Sequence, residues 1–282
     1  MIKVLRKSGD VFIYFLLTTL GILWILPIFY LVYTAFRVTP STGIINTLFP
    51  KDLRLGLNNF IRLFQDTMFS KWLLNTIIVA TASCLLSTAF ILMVSYAFSR
   101  LRFKLRKPLM NVLLVLGMFP GFMSMIAIYF ILKAMGLTDS LFALVLVYSG
   151  SAALSYYISK GFFDTLPKAI EEAAFLDGAN QPTVFWKIIL PMTKPIIVYT
   201  VLTTFIAPWC DFIFVNTIIS DREKYTVSLG LYKMINSEKN SFNDNFTVFC
   251  AGAFVVGSII VTLFMSMQRY YVEGVTSGAV KG

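Results

Sequence analysis

The chain has 282 residues, 57% hydrophobic, 16% aromatic and only 13% charged, with a mean hydropathy of +0.77, an apolar excess beyond what a soluble core buries. Its net charge of +10 would point to nucleic acid in a soluble domain. Here the basic residues flank uncharged apolar runs, where insertion orientation and anionic lipid account for them, so nucleic-acid binding is excluded. There is no histidine, and Cys84, Cys210 and Cys250 all fall inside apolar runs, which excludes a disulfide framework and a Cys/His metal site and reads the cysteines as packing residues.

In chain order, Lys3, Arg6 and Lys7 precede a first uncharged run over 11–36, too long for a signal-peptide core, which predicts a retained span with the N-terminus inside. Between Arg37 and Lys71, Leu57, Phe60, Ile61 and Phe64 recur at helical spacing beside Asn58, Asn59 and Arg62. This predicts an amphipathic helix on the outer surface, either a partner-docking element or one resting at the lipid headgroups. A second span over 72–99 ends in Arg100, Arg102, Lys104, Arg106 and Lys107 with no acid among them, which places that loop in the cytoplasm. Spans three and four are read over 108–132 and 140–159, joined by the link Lys133–Asp139 outside. A fifth is read over 195–220, an outer loop over Asp221–Asp244, and a sixth span over 245–268 returns the tail inside. The expected fold is all-α, a polytopic membrane protein of six transmembrane helices with both termini cytoplasmic and a single domain over 1–282.

The loop over 160–194, between the fourth and fifth spans, carries Glu172-Ala173-Ala174, three residues, Gly178, nine residues, then Ile188-Ile189-Leu190-Pro191. It reads as two short helices and a turn: Pro167 early in the first, Gly178 after Asp177 as a stop, Pro182 opening the second and Pro191 ending it. Gly178 sits where a positive φ is commonly needed. Alanines at 173 and 174 leave room for another protein's surface, with Ile170, Val184, Phe185 and Ile188 supplying apolar contact. Glu172 is expected to be exposed and ionised.

That motif resembles the signature loop of the membrane subunits of ABC importers. The likeness extends over essentially the whole chain and narrows to maltose-type carbohydrate permeases. Trp209, Asp211 and Phe212 resemble a Trp-Asn-Asp-Phe stretch of the fifth span, with Cys210 departing from the asparagine. Tyr225–Leu231 resembles the following outer loop, and Glu273–Gly282 resembles the C-terminal tail. The resemblance implies the type I ABC importer permease fold in a bacterial inner membrane. It implies that Glu172, Ala173, Ala174, Gly178, Ile188, Leu190 and Pro191 form coupling helices seated in a cleft of an ATPase subunit, with Glu172 paired to a basic residue there. It implies as partners a second permease, two ATPase subunits and an extracytoplasmic sugar-binding protein, and as solute a malto-oligosaccharide or similar oligosaccharide. The chain carries no Gly-x-x-x-x-Gly-Lys-Ser/Thr, so it is expected to bind no cofactor itself, with ATP and magnesium on the partners.

Asp211 is the one ionisable side chain inside an expected span; it either holds the span by a hydrogen bond or ion pair or lines the pathway. Asn75, Asn111 and Asn216 are the further polar candidates for helix–helix contacts or the pathway. No catalytic residue or metal ligand is expected, since no pair of acids shares a span. The alternative reading, a stand-alone secondary transporter of a small solute, lacks the internal repeat and the embedded acids that a coupling-ion site uses. The positive-inside topology is checked by single cysteines in a cysteine-free background. Those near Lys104 and Gly178 are expected to react with impermeant thiol reagents only from the cytoplasm, and those near Gly136 and Asn236 only from outside. Labelling of position 178 from outside overturns the topology.

Overall fold

The computed structural model describes the backbone of residues 2–38, 54–151, 153–236 and 241–279, and side chains within 12–38, 54–121, 123–151, 153–236 and 245–269. The tail Glu273–Gly282 therefore lies outside the residues whose side chains are described, as do residues 237–244 of the outer loop. The described residues are helical almost throughout, because in hydrocarbon each backbone N–H and C=O must be satisfied within its own segment. The helices are α1 (Ile2–Phe36), α2 (Asn58–Gln65), α3 (Phe69–Arg100), α4 (Arg106–Met118), α5 (Gly121–Ala134), α6 (Leu141–Gly150), α7 (Ala153–Thr165), α8 (Lys168–Leu176), α9 (Gln181–Met192), α10 (Lys194–Cys210), α11 (Ile213–Ile218), α12 (Val227–Asn236) and α13 (Ser241–Ala279).

Three unbroken helical segments are long and apolar enough to cross a membrane: Phe12–Phe36, Phe69–Arg100 and Asn245–Arg269. The remaining candidates are bent pairs, α4 with α5, α6 with α7 and α9 with α10, for up to six in all, so the expected third and fourth spans are bent and the expected fifth is joined to Gln181–Met192, a helix assigned to the preceding loop. The third, read as continuous over 108–132, is α4 and α5, with a bend of 105° between Arg106–Met118 and Met123–Ala134. Pro120 forces Phe119 into an extended conformation (φ −69°, ψ 134°) and ends α4 there. The fourth does not stop at 159. It bends by 42° between α6 and α7 and stays helical to Thr165, its charged end supported by a Lys160–Asp164 pair one turn apart. The fifth, read over 195–220, is interrupted at Asp211 and Phe212, three residues beyond Pro208, whose missing N–H weakens the last turn of α10. Of the three cysteines, Cys84 and Cys250 are buried as expected for packing residues, whereas Cys210, at that interruption, is exposed.

The chain divides into two compact units. The first comprises Met1–Phe69 and Leu231–Ser258. In it the expected amphipathic helix forms as α2, but Asn59, assigned to its polar face, is buried. Its Nδ2 donates to the carbonyls of Ala35 (2.9 Å) and Arg37 (2.8 Å), capping the C-terminal end of α1. Phe60 packs between Phe36 (4.9 Å) and Phe254 (5.9 Å), while Leu57, Ile61 and Phe64 stay exposed.

The second unit comprises Ser70–Gly230 and Ile259–Gly282 and contains the signature loop. Small residues let its helices approach closely: Ser87 and Ser95 of α3 donate to the carbonyls of Tyr148 (3.2 Å) and Tyr156 (3.0 Å). Gly230, in the first turn of α12, faces the buried indole of Trp72, where an added Cβ would lie 2.2 Å from a ring carbon. Trp72 is itself held by a bond from its Nε1 to the carbonyl of Arg222 (2.9 Å). Gly230→Ala is therefore expected to destabilise the chain by about 1–3 kcal/mol through overpacking. Thermal unfolding in detergent should show Trp72→Leu relieving most of that loss.

Candidate functional site

The signature loop is built on backbone rules visible in its sequence. Pro167, extended at φ −61° and ψ 124°, precedes the first turn of α8. At the other end Gly178 takes φ +86°, its N–H bonding to the carbonyl of Phe175 (3.0 Å) and the N–H of Ala179 to that of Ala174 (3.0 Å). This pairing satisfies the last carbonyls of α8 and requires the left-handed residue at 178. Among the described residues, no atom beyond its two chain neighbours lies within 4 Å of the position a Gly178 Cβ would take, so the demand for glycine is conformational rather than steric. Asn180 then caps α9, its Oδ1 accepting from the N–H of Thr183 (3.0 Å), with Pro182 in the first turn. Pro191 does not end this helix as the sequence predicted. Residues Val184–Ile189 adopt π-helical geometry, the helix runs on to Met192, and the break falls at Thr193 with an 82° turn into α10.

One turn of α8 divides two adjacent glutamates between opposite environments. Glu172 is exposed, as expected. Glu171 is buried and pairs with Arg100 at the end of α3 (Nε to Oε1, 2.5 Å), with only 5% and 7% of the two side chains exposed. Arg100 also donates from Nη2 to the carbonyl of Leu166 (3.0 Å), and the Tyr96 hydroxyl lies 3.4 Å from Glu171 Oε2 and 3.2 Å from Gln181 Oε1. Sequence reading counted Arg100 among the topogenic cations and did not single out Glu171. An arginine that closes an apolar run, and an acid next to the motif glutamate, were the available signals.

Around this polar lock lies an apolar core of Leu92, Tyr96, Phe163, Ala174, Val184 and Ile189. The alanine pair accordingly splits: Ala173 is exposed, whereas Ala174, read as part of a face open to another protein, packs against its own chain. Val184 and Phe185, read as apolar contacts for a partner, are buried for the same reason. Ile188 and Leu190 are half-buried against the core, and Pro191 is exposed. Apolar side chains turned outward include Leu176, 90% exposed at the tip of α8 with Phe175 beside it, and Trp186 on α9, none of which the motif reading named.

The polar span candidates are not gathered into one site. Asp211 lies at the break in the fifth span: Oδ2 accepts from the Tyr148 hydroxyl (2.9 Å) and Oδ1 from the N–H of Phe214 (3.0 Å), tying α6 to the start of α11. Its carbonyl accepts from Ser228 (2.9 Å). Asn75 is buried and uses Nδ2 on the carbonyls of Glu223 (2.8 Å) and Tyr225 (3.0 Å), which fixes the loop after the fifth span on α3. Asn111 and Asn216 are exposed. The same loop is held from the other side by Asp139, at φ +59°, whose Oδ1 accepts from the N–H groups of Asp221 (3.0 Å) and Ser220 (2.9 Å) and whose Oδ2 accepts from Lys224 (3.3 Å). The Asp221 N–H, with Ser220 and Lys224, holds the Asp139 carboxyl below the usual carboxylate range. This anchorage is thus fully present above that range and is lost as pH falls through the lowered value.

The loop is thus seated by a buried ion pair and an apolar core on a helical chain with three to six candidate membrane spans among its described residues. Residues 91–275 match the family described as binding-protein-dependent transport system inner membrane component. The chain belongs to that family: it is a multi-pass membrane permease subunit of an ABC transport system. It is 32% identical to the maltodextrin transport system permease protein MalD of Streptococcus pneumoniae, covering 100% of this chain and 99% of that protein. It is 31% identical to the maltodextrin permease MdxG of Bacillus subtilis, over 98% of each. It is 30% identical to the galactooligosaccharides transport system permease protein GanQ of the same organism, over 99% of this chain and 98% of that one. Among solved structures, a chain of a bacterial ABC transporter involved in the import of the acidic polysaccharide alginate shares the fold. Its TM-score is 0.79 at 23% identity, covering 94% of this chain and 97% of that chain.

The Arg100–Glu171 lock generates a direct test. Removing one partner strands a buried charge, so Glu171→Ala is expected to cost about 3–5 kcal/mol. The paired apolar replacement Arg100→Met with Glu171→Leu should recover most of that stability. Glu172→Ala, one residue away, should stay within about 0.5 kcal/mol of wild type. Unfolding followed by tryptophan fluorescence in detergent measures all three.

Proposed function

We propose that this chain forms, with a second permease subunit, the translocation pathway of an ATP-driven, binding-protein-dependent sugar importer, and that residues 160–194 couple the pathway to two ATPase subunits. In this reading the termini and that loop are cytoplasmic, ATP and magnesium are handled by the partners, and an extracytoplasmic sugar-binding protein delivers the solute. A malto-oligosaccharide or similar oligosaccharide is the proposed cargo. Support comes from the family and from relatives whose names give maltodextrins in two cases and galactooligosaccharides in a third, which favours oligosaccharides as a class.

The observation that carries the coupling assignment is the division of α8 into a locked face and a free face. Glu171 and Ala174 fasten the helix to α3 and the core beneath it. Glu172, Ala173, Leu176 and Gly178 stand clear of the chain. A partner engaging the free face would therefore displace α8, the end of α3 and the start of α10 as one body, because close-packed cores shift between discrete arrangements rather than deform. Glu172 is assigned an ion pair with a basic ATPase residue, Ala173 close approach, and Gly178 the turn that aims α9. Ile188, Leu190 and Pro191 shape the exit into the fifth span. Asp211 and Asn75 are assigned to holding the fifth span and its following loop, whereas the Asn216 side chain stands exposed on α11.

Glu172→Ala and Gly178→Val test this differently. An ion pair at an exposed position is worth about 0–1 kcal/mol, so the first variant should retain ATPase subunits less well as salt rises. Valine at φ +86° strains the turn, so the second should lose binding-protein-stimulated ATP hydrolysis and uptake although the subunit inserts normally. Each variant is purified with its partner permease and ATPases. Wild-type values for retained ATPase, stimulated hydrolysis and uptake in Gly178→Val would remove the coupling assignment.

A further inference from the structure

Outside the signature loop, the second unit contains a cavity of about 410 Å³ where α4 packs on α7, lined by Arg106, Lys107, Met110, Asn111, Tyr157 and Lys160. Its size falls within the range of small-molecule sites, and its lining combines three cations with an amide and a phenol. The cations are only partly used inside the chain. Arg106 gives one bond from Nη2 to the carbonyl of Ser99 (3.2 Å), which leaves most of its five N–H donors. Lys160 pairs with Asp164, whose other oxygen accepts from Ser99 (2.6 Å), and Lys107 is exposed. Counting that one acid, the site keeps an excess of two positive charges.

The surroundings decide which anion fits. The cavity opens at the first turns of α4, where the polar loop meets the apolar third span. One turn along the same face of α4 from Asn111 stands exposed Val115, and one turn before Tyr157 on α7 stands exposed Leu154. A cationic pocket at a membrane–water boundary, continued by apolar side chains along both its helices, matches a molecule that is anionic at one end and hydrocarbon at the other. A free phosphate or nucleotide would use the cations and gain nothing from the apolar continuation.

We propose that this cavity binds the phosphate headgroup of an anionic phospholipid, with Lys107, Lys160 and Arg106 holding the phosphate oxygens, Asn111 and Tyr157 bonding the glycerol, and the acyl chains lying along Val115 and Leu154. Assignment to the cytoplasmic leaflet rests on the orientation proposed above; headgroup binding itself does not. The full chain, purified in detergent, is titrated with phosphatidylglycerol and with phosphatidylcholine and examined by native mass spectrometry. Wild type should retain phosphatidylglycerol in preference. A membrane-surface cation contributes about 1 kcal/mol, so Lys107→Gln and Lys160→Gln should each weaken retention about fivefold, with Lys107→Arg restoring it. Lys107 is exposed, so its substitution leaves the fold intact and unfolding at the wild-type temperature certifies this. Arg102→Gln with Lys104→Gln, which removes two exposed cations of the preceding loop, should change retention less than twofold. Equal retention of phosphatidylcholine, equal loss in the Arg102 and Lys104 variant, or no loss in Lys107→Gln overturns the site. Displacement of the lipid by millimolar inorganic phosphate overturns the lipid assignment in favour of a free-anion site. Thiol labelling at position 104 reads the orientation separately, so a failed leaflet assignment and a failed binding site are told apart.

Discussion

The buried ion pair between Arg100 and Glu171 is the interaction on which the organisation of the signature loop depends. Two charges withdrawn from water are costly, and this pair is supported by further bonds, Arg100 Nη2 on the Leu166 carbonyl and Glu171 beside the Tyr96 hydroxyl, while Arg100 Nη1 is buried with no hydrogen-bond partner among the described residues. Such a pair adds little to net stability compared with an apolar filling, but it fixes one register of α8 on α3. With Glu171 inward, Glu172 points out, Ala174 enters the core and Leu176 is carried to the tip. A helix rotated by one residue would bring Phe175 to the core position that Ala174 fills and turn Glu171 out.

The broken spans follow from a second constraint, the satisfaction of backbone groups in hydrocarbon. Three of the interruptions coincide with a residue that cannot continue the ladder or that supplies a substitute for it. Pro120 ends α4, Thr193 bonds back to the Leu190 carbonyl from both its N–H (3.1 Å) and its hydroxyl (2.8 Å), and the Asp211 carboxylate accepts from the N–H of Phe214 in the first turn of α11. Non-helical backbone at membrane depth is tolerated where the chain itself covers it. Asp211 illustrates this, since the charge that marks the span as unusual also closes the gap that it occupies.

Much of the protein was legible from one-dimensional signals because the membrane imposes one-dimensional rules. Apolar runs bounded by charge marked the three unbroken helices Phe12–Phe36, Phe69–Arg100 and Asn245–Arg269, and the turn chemistry of Pro167, Gly178 and Pro182 located α8 and α9. The motif spacing sufficed to indicate the family, which the comparisons then established. Three things escaped. Helix bends depend on where a proline meets available side-chain acceptors. Helix continuation beyond a charge, as at Lys160, depends on a partner one turn away. The facing of a short amphipathic helix depends on what lies beneath it.

Asn59, Asn75 and Glu171 make the last point together. Each is polar by type and was assigned to a surface, a helix contact or nothing, and each is buried because a distant carbonyl or guanidinium needed its partner. By itself the sequence determined that the chain is a helical membrane protein, where the turns of its signature loop fall and which loop carries the family motif, since hydropathy, glycine and proline act through local free energy. Only the tertiary structure decided which of two neighbouring glutamates is locked and which is free, and which alanine of the pair is presented. Those choices turn on contacts between residues some 70 positions apart, for which no local signal exists.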